Sequence, residues 1–126
     1  MKKFGTAVLV LGALLTGAPH ASAHAILASS FPTSKSVISL SPTKVWLDFD
    51  GDLVDFPGKS VNHIYLTDSK GRTIPILRSY VGGSRITAEL KKISSTGKIT
   101  MSWRVVSEDG HPVTGSIFFY LIPKKI

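Results

Sequence analysis

The sequence contains no cysteine. That absence removes disulfides from the means of holding the fold and removes thiolate nucleophiles. It also leaves His, Asp, Glu, Met and backbone groups as the only candidate metal ligands. Methionine is nearly absent too, since Met1 and Met101 are the whole supply, so a soft thioether site has little to draw on. Acids are outnumbered, 8 Asp and Glu against 15 Lys and Arg. The cations are nevertheless scattered from Lys35 to Lys125 rather than interleaved with aromatics on one face, which suits solubility and speaks against a nucleic-acid partner. Long apolar runs are missing after the first residues. Phe4 to Leu15 is the longest, shorter than the ~20 residues that a membrane-spanning helix requires. No transmembrane segment is therefore expected once the chain is processed.

What is present begins with an export signal. Lys2 and Lys3 precede the apolar run, and Ala21-Ser22-Ala23 places small residues at both specificity positions of a cleavage site. Residues 1–23 are expected to be removed. This leaves a single domain over residues 24–126 with formal charge reduced from +7 to +5, because two lysines and no acid depart. The destination is a periplasm or the outside of the cell.

The mature segment shows no run of helical periodicity, no internal repeat and no linker. Val45, Leu47 and Phe49 alternate with Trp46, Asp48 and Asp50, and Ile99, Met101, Trp103 and Val105 alternate with Thr100, Ser102, Arg104 and Val106. Period two with one apolar face describes a sheet packed on one side. Turn residues at Asp68–Gly71, Gly82-Gly83, Ser94–Gly97 and Asp109-Gly110 separate strands expected near 25–29, 44–49, 61–67, 73–78, 84–90, 97–106 and 115–122. About seven short strands predict an all-β, immunoglobulin-like Greek-key β-sandwich. The segment Phe31 to Pro42 is expected to cross the sandwich irregularly, Trp103 to pack in the core, and Trp46 to lie at the surface.

Cleavage after Ala23 would give His24 a free α-amino group. The amine and the imidazole Nδ1 of one N-terminal histidine close a six-membered chelate ring on a metal, and an amine of reference pKa near ~7.7 to 8.0 loses its proton to a metal at little cost. Asp109 and His111 stand two positions apart across Gly110 in "SEDGHPVTG", a spacing that in extended chain sets both side chains on one side. Pro112 stiffens the exit. Nitrogens plus a carboxylate oxygen in a tetragonal arrangement suit Cu(II), which also tops the divalent affinity series, so copper is favoured over zinc.

These same residues carry a resemblance. The segments "HAILASSFP", "VWLDF" and "GKITMSWRVVSEDGHPVTGSIFF" resemble the CopC family of periplasmic copper-binding proteins over nearly the whole mature chain. The resemblance implies a small β-sandwich with a Cu(II) site made by the N-terminal histidine and the Asp and His of a D-x-H-P segment, here His24, Asp109 and His111. It implies a role in copper transport, buffering or resistance, with a membrane copper transporter or a secreted cuproprotein as partner. Members with Met-rich loops also bind Cu(I), and this sequence has no such loop. The stretch "DGDLVDFPGKSVNHIYLTD" departs from the family pattern.

Other polar residues have plainer explanations. His63, between Asn62 and Ile64, is expected as a half-exposed strand histidine, and Glu108 as solvated surface by strand alternation. Asp48, Asp50, Asp52 and Asp55 lack calcium-loop order because Gly51 falls too early. Asp-Gly and His-Pro also belong to ordinary turn vocabulary. Two alternatives to a copper carrier remain: an oxidative copper enzyme built on an N-terminal histidine, and an interaction domain without metal. No catalytic residue is assigned.

Overall fold

Residues 25–125 are described by the computed structural model; the expected leader over residues 1–23 and His24 lie outside the described residues. The strands run in chain order β1 (Leu27–Phe31), β2 (Val37–Ile38), β3 (Lys44–Phe49), β4 (His63–Thr67), β5 (Thr73–Ile74), β6 (Ile76–Gly82), β7 (Arg85–Leu90), β8 (Gly97–Val106) and β9 (Pro112–Leu121). They form one sheet of order β1-β3-β7-β6 and a second of order β2-β9-β8-β4-β5. The molecule is a Greek-key β-sandwich without helices among the described residues, as the alternation predicts. Among those residues no helix is long and apolar enough to cross a membrane.

The alternating residues make the core. Val45, Leu47 and Phe49 from β3 and Ile86, Ala88 and Leu90 from β7 face Ile99, Met101, Trp103 and Val105 from β8 and Phe119 and Leu121 from β9, all buried. Trp103 is in this core, its ring edge-to-face with Phe49 at 5.9 Å. Trp46 lies half-buried on the outer face, with Phe31 at 6.5 Å and the Arg85 guanidinium 3.8 Å above its ring.

Two expected boundaries need correction. The strand expected over 73–78 is two strands in two sheets, broken at Pro75, where the missing N–H ends the ladder and lets the chain cross. The segment 31–42 is not wholly irregular, since β2 within it pairs parallel with β9 at Val37–Tyr120 and Ile38–Leu121.

Gly115 stands opposite Trp103 in the β8–β9 ladder. A Cβ there would fall 2.4 Å from Cζ2 and 2.7 Å from Cε2 of the indole, far inside contact distance. Gly115→Ala is therefore expected to destabilise the domain by about 1–3 kcal/mol through overpacking. A urea unfolding midpoint equal to that of the wild type would show that the indole yields freely.

At the β4–β5 turn, Asp68 is buried at 7% exposure. Its carboxylate accepts the N–H groups of Lys70 and Arg72, the Arg72 guanidinium N–H and the Ser95 hydroxyl. The Arg72 backbone bond leads the effects that hold its carboxyl at about 2, while burial opposes them. The folded state thus keeps Asp68 ionised where the unfolded chain is protonated. The stabilisation is complete above about pH 4 and is lost as pH falls toward 2. Asp68→Asn is expected to melt below the wild type at neutral pH, with the gap closing across that window. A gap that is constant with pH would contradict it.

Candidate metal centre

The site is built at the end of the sandwich where β8 turns into β9. Gly110 N–H donates to Ser107 O at 2.8 Å and Ser107 N–H to His111 O at 3.2 Å, enclosing the loop Glu108–Gly110. Gly110 takes φ +82, the left-handed residue that closes three-residue hairpin loops and that a side chain would strain. Asp109 and His111 are brought together by this turn and not by strand alternation. Glu108 is exposed, as expected.

Within the turn the two oxygens of Asp109 have different work. Oδ1 accepts the Ser107 hydroxyl and, at 3.0 Å, the His111 backbone N–H. Oδ2 stands 3.1 Å from His111 Nδ1. The Ser107 hydroxyl first, and the His111 N–H next, hold the Asp109 carboxyl below the usual carboxylate range, so it stays anionic through the neutral region. Two donors at right angles on one metal, each ~2.0–2.2 Å away, are themselves roughly 3 Å apart. The separation of Oδ2 and Nδ1 fits two donors to one divalent ion.

Opposed residues on neighbouring strands share a face. Ser107, 1% exposed, therefore continues the inward column of Val105, and His111 that of Val113. The His111 side chain is 68% exposed and that of Asp109 25%. Leu27 opens β1 opposite Phe49, and the segment after Phe49 crosses directly to the turn. Leu53 bridges Ser107, and Val54 N–H donates to Val106 O at 2.9 Å. Ala25, 4% exposed, is packed in the core at this end. The chain that precedes β1 thus enters the fold at the same end of the sandwich as the Asp109–His111 turn.

Among the described residues no three His, Asp or Glu side chains converge as a metal cage. Asp109 and His111 supply two donors, and the proposed third, His24, lies outside the described residues. His63 is not available to the pair. It is half-buried opposite Arg104 on the outward column of β4, ring-stacked with Tyr65 at 6.1 Å, and β8 separates it from β9. Asp48 accepts the Ser84 hydroxyl at 2.6 Å and Asp50 the Ile26 N–H at 2.8 Å, each separate from the turn.

Two residues at this end escape the sequence. Ser107 looks like ordinary turn vocabulary, and only its burial and its hydroxyl bond to Asp109 reveal it as the support of the carboxylate. Asp50 reads as one of four scattered acids until the β1–β3 pairing brings it against Ile26. The loops also divide by charge. Asp50, Asp52, Asp55, Glu108 and Asp109 lie in the loops at the site end, with Lys59 as the lone cation of those described. Lys70, Arg72, Lys91, Lys92, Lys124 and Lys125 lie in loops at the other end beside Asp68. Such a distribution draws cations toward the acidic end.

Comparison with known proteins agrees with this architecture. The family model described as the CopC domain matches residues 27–121. Copper resistance protein C of Xanthomonas campestris pv. juglandis is 34% identical over 125 residues, 94% of each chain. Copper resistance protein C of Escherichia coli is 29% identical over 127 residues, covering 94% of this chain and 98% of its own. The crystal structure of CopC from Methylosinus trichosporium OB3b superposes with a TM-score of 0.69 at 25% identity, covering 82% of this chain and 98% of that one.

Proposed function

Because the chain belongs to the CopC family, we propose that it is an exported Cu(II)-binding protein whose metal is held by His24, Asp109 and His111. Its work is to carry, buffer or detoxify copper. The observation that carries the proposal is the Oδ2–Nδ1 pair of Asp109 and His111 at 3.1 Å, in a turn at the end of the sandwich where β1 begins. His24 would add an amine and an imidazole to that oxygen and nitrogen, a set that suits tetragonal Cu(II). Relatives named as copper resistance proteins support the metal. The leader-like residues 1–23 support export to a periplasm or beyond. The acidic loops favour capture of a cation, and a membrane copper transporter or a secreted cuproprotein is the proposed recipient.

Binding is favoured over oxidative catalysis by the surroundings of the turn. An enzyme acting on an extended polymer needs a flat aromatic platform beside its metal. At this end Phe49 and Trp103 are buried in the core, and the described loops carry one exposed aromatic ring, Phe56, which is not a platform.

The chain beginning at His24 is expected to take up one Cu(II) with a tetragonal spectrum of nitrogen and oxygen ligands, and to prefer it over Zn(II) by at least about tenfold. Titration against a competing chelator, with electron paramagnetic resonance of the bound ion, checks this. No uptake, or equal affinity for zinc, would overturn it.

A further inference from the structure

We infer that Asp50 is a positioning residue for the copper site: its carboxylate clamps the backbone of Ile26 and so limits the freedom of the chain that leads to the proposed ligand His24. The inference rests on the copper proposal above. Asp50 Oδ1 accepts the Ile26 N–H at 2.8 Å, and the Asp50 N–H returns a bond to Ile26 O at 2.9 Å. Two opposed hydrogen bonds thus fix one residue's backbone on both sides, just before β1 begins at Leu27. Regular ladder pairing cannot do this alone, because the β1–β3 register is irregular between Leu27 and Ser29. Ile26 itself is 60% exposed, so its side chain supplies little burial to hold the arm. On its other side the buried Ala25 completes the anchor.

The mechanical consequence concerns the ligand ring. A terminal amine and its own imidazole bind as a chelate only if the residue carrying them is presented at a fixed distance from the other donors. Freedom in the adjoining peptides is entropy that metal binding must then remove. Asp50 is joined to the Asp109 turn through a short path, Asp50 to Leu53 along the chain and Leu53 to Ser107 across a bridge. The arm and the turn are therefore referenced to the same segment. Supports that orient metal ligands without touching the metal typically contribute 10–100-fold to affinity.

The test uses the chain beginning at His24 with Asp50→Ala, which removes the acceptor, and Asp50→Asn, whose amide oxygen can still accept the Ile26 N–H. Asp50→Ala is expected to lower Cu(II) affinity about 10–100-fold, to speed exchange of the Ile26 amide in the metal-free protein, and to leave the melting temperature nearly unchanged. Asp50→Asn should bind copper within a few-fold of the wild type with the same paramagnetic resonance spectrum. In a chain beginning at Ala23, where the amine is already an amide, Asp50→Ala should cost little further affinity, the coupling expected if both act on one chelate. Wild-type affinity in Asp50→Ala would overturn the clamp. So would a loss in Asp50→Asn as large as in Asp50→Ala with an altered spectrum, which would make the carboxylate a ligand. A wild-type chain that takes up no copper would instead overturn the proposed function, and is distinguished by needing no variant to see it.

Discussion

A chain that begins at Ala23 is expected to bind Cu(II) roughly 100-fold or more weakly than one that begins at His24, although every side chain of the site is unchanged. One added residue turns the α-amine of His24 into an amide. The chelate ring then has no amine donor, and opening it forfeits the preorganisation that made the second nitrogen inexpensive. The fold sharpens this expectation. Ala25 is buried and Ile26 is bonded on both sides to Asp50, so the arm cannot slide by one residue to offer the new terminus in place of the old. Competition titration at fixed pH, with folding confirmed by near-ultraviolet circular dichroism, decides the matter. Equal affinities would place the copper elsewhere and return His63 to consideration.

The parts of this protein that are legible in the sequence are those with a short period. Alternation in "VWLDF" and "ITMSWRVV" defines which face is buried without reference to any partner, and the core follows it residue by residue. What alternation cannot show is which sheet a strand joins. Thr73 to Arg78 looks like one strand, and only the ladder reveals that Pro75 divides it between two sheets. A two-residue element such as β2 has no period at all, and its parallel pairing with β9 depends on chain more than eighty residues away. The site divides in the same way. Asp109 and His111 are close in sequence and visible from their spacing, though the left-handed Gly110 unites them and an extended chain does not. Ser107 carries no chemical signal of its own. Asp50 acts on Ile26 across 24 positions, a relation that exists only once β1 and β3 pair.

His111→Ala is expected to weaken Cu(II) binding roughly 100-fold or more, and Asp109→Asn about 10–100-fold, with neither variant unfolding. Imidazole is the stronger donor, which sets the order. From composition alone the amide introduced by Asp109→Asn would be a mild replacement, since its oxygen could take the carboxylate's place at the metal. The turn argues otherwise. One Asp109 oxygen is already occupied by the Ser107 hydroxyl and the His111 N–H, and the other faces His111 Nδ1. An amide has a single oxygen. If it keeps the two turn donors, its NH₂ group faces the metal position and cannot ligate. If it turns its oxygen to the metal, the Ser107 hydroxyl and the His111 N–H lose their acceptor, which costs about 0.5–1.5 kcal/mol for each bond. Both outcomes weaken copper binding, and the second also loosens the loop while leaving the core intact, because the turn lies outside the buried cluster. Copper titration together with thermal melting of the metal-free variants separates these effects. Wild-type affinity in Asp109→Asn would show that Oδ2 supplies nothing to the metal, and loss of the near-ultraviolet spectrum in both variants would show that the pair holds the fold rather than the ion.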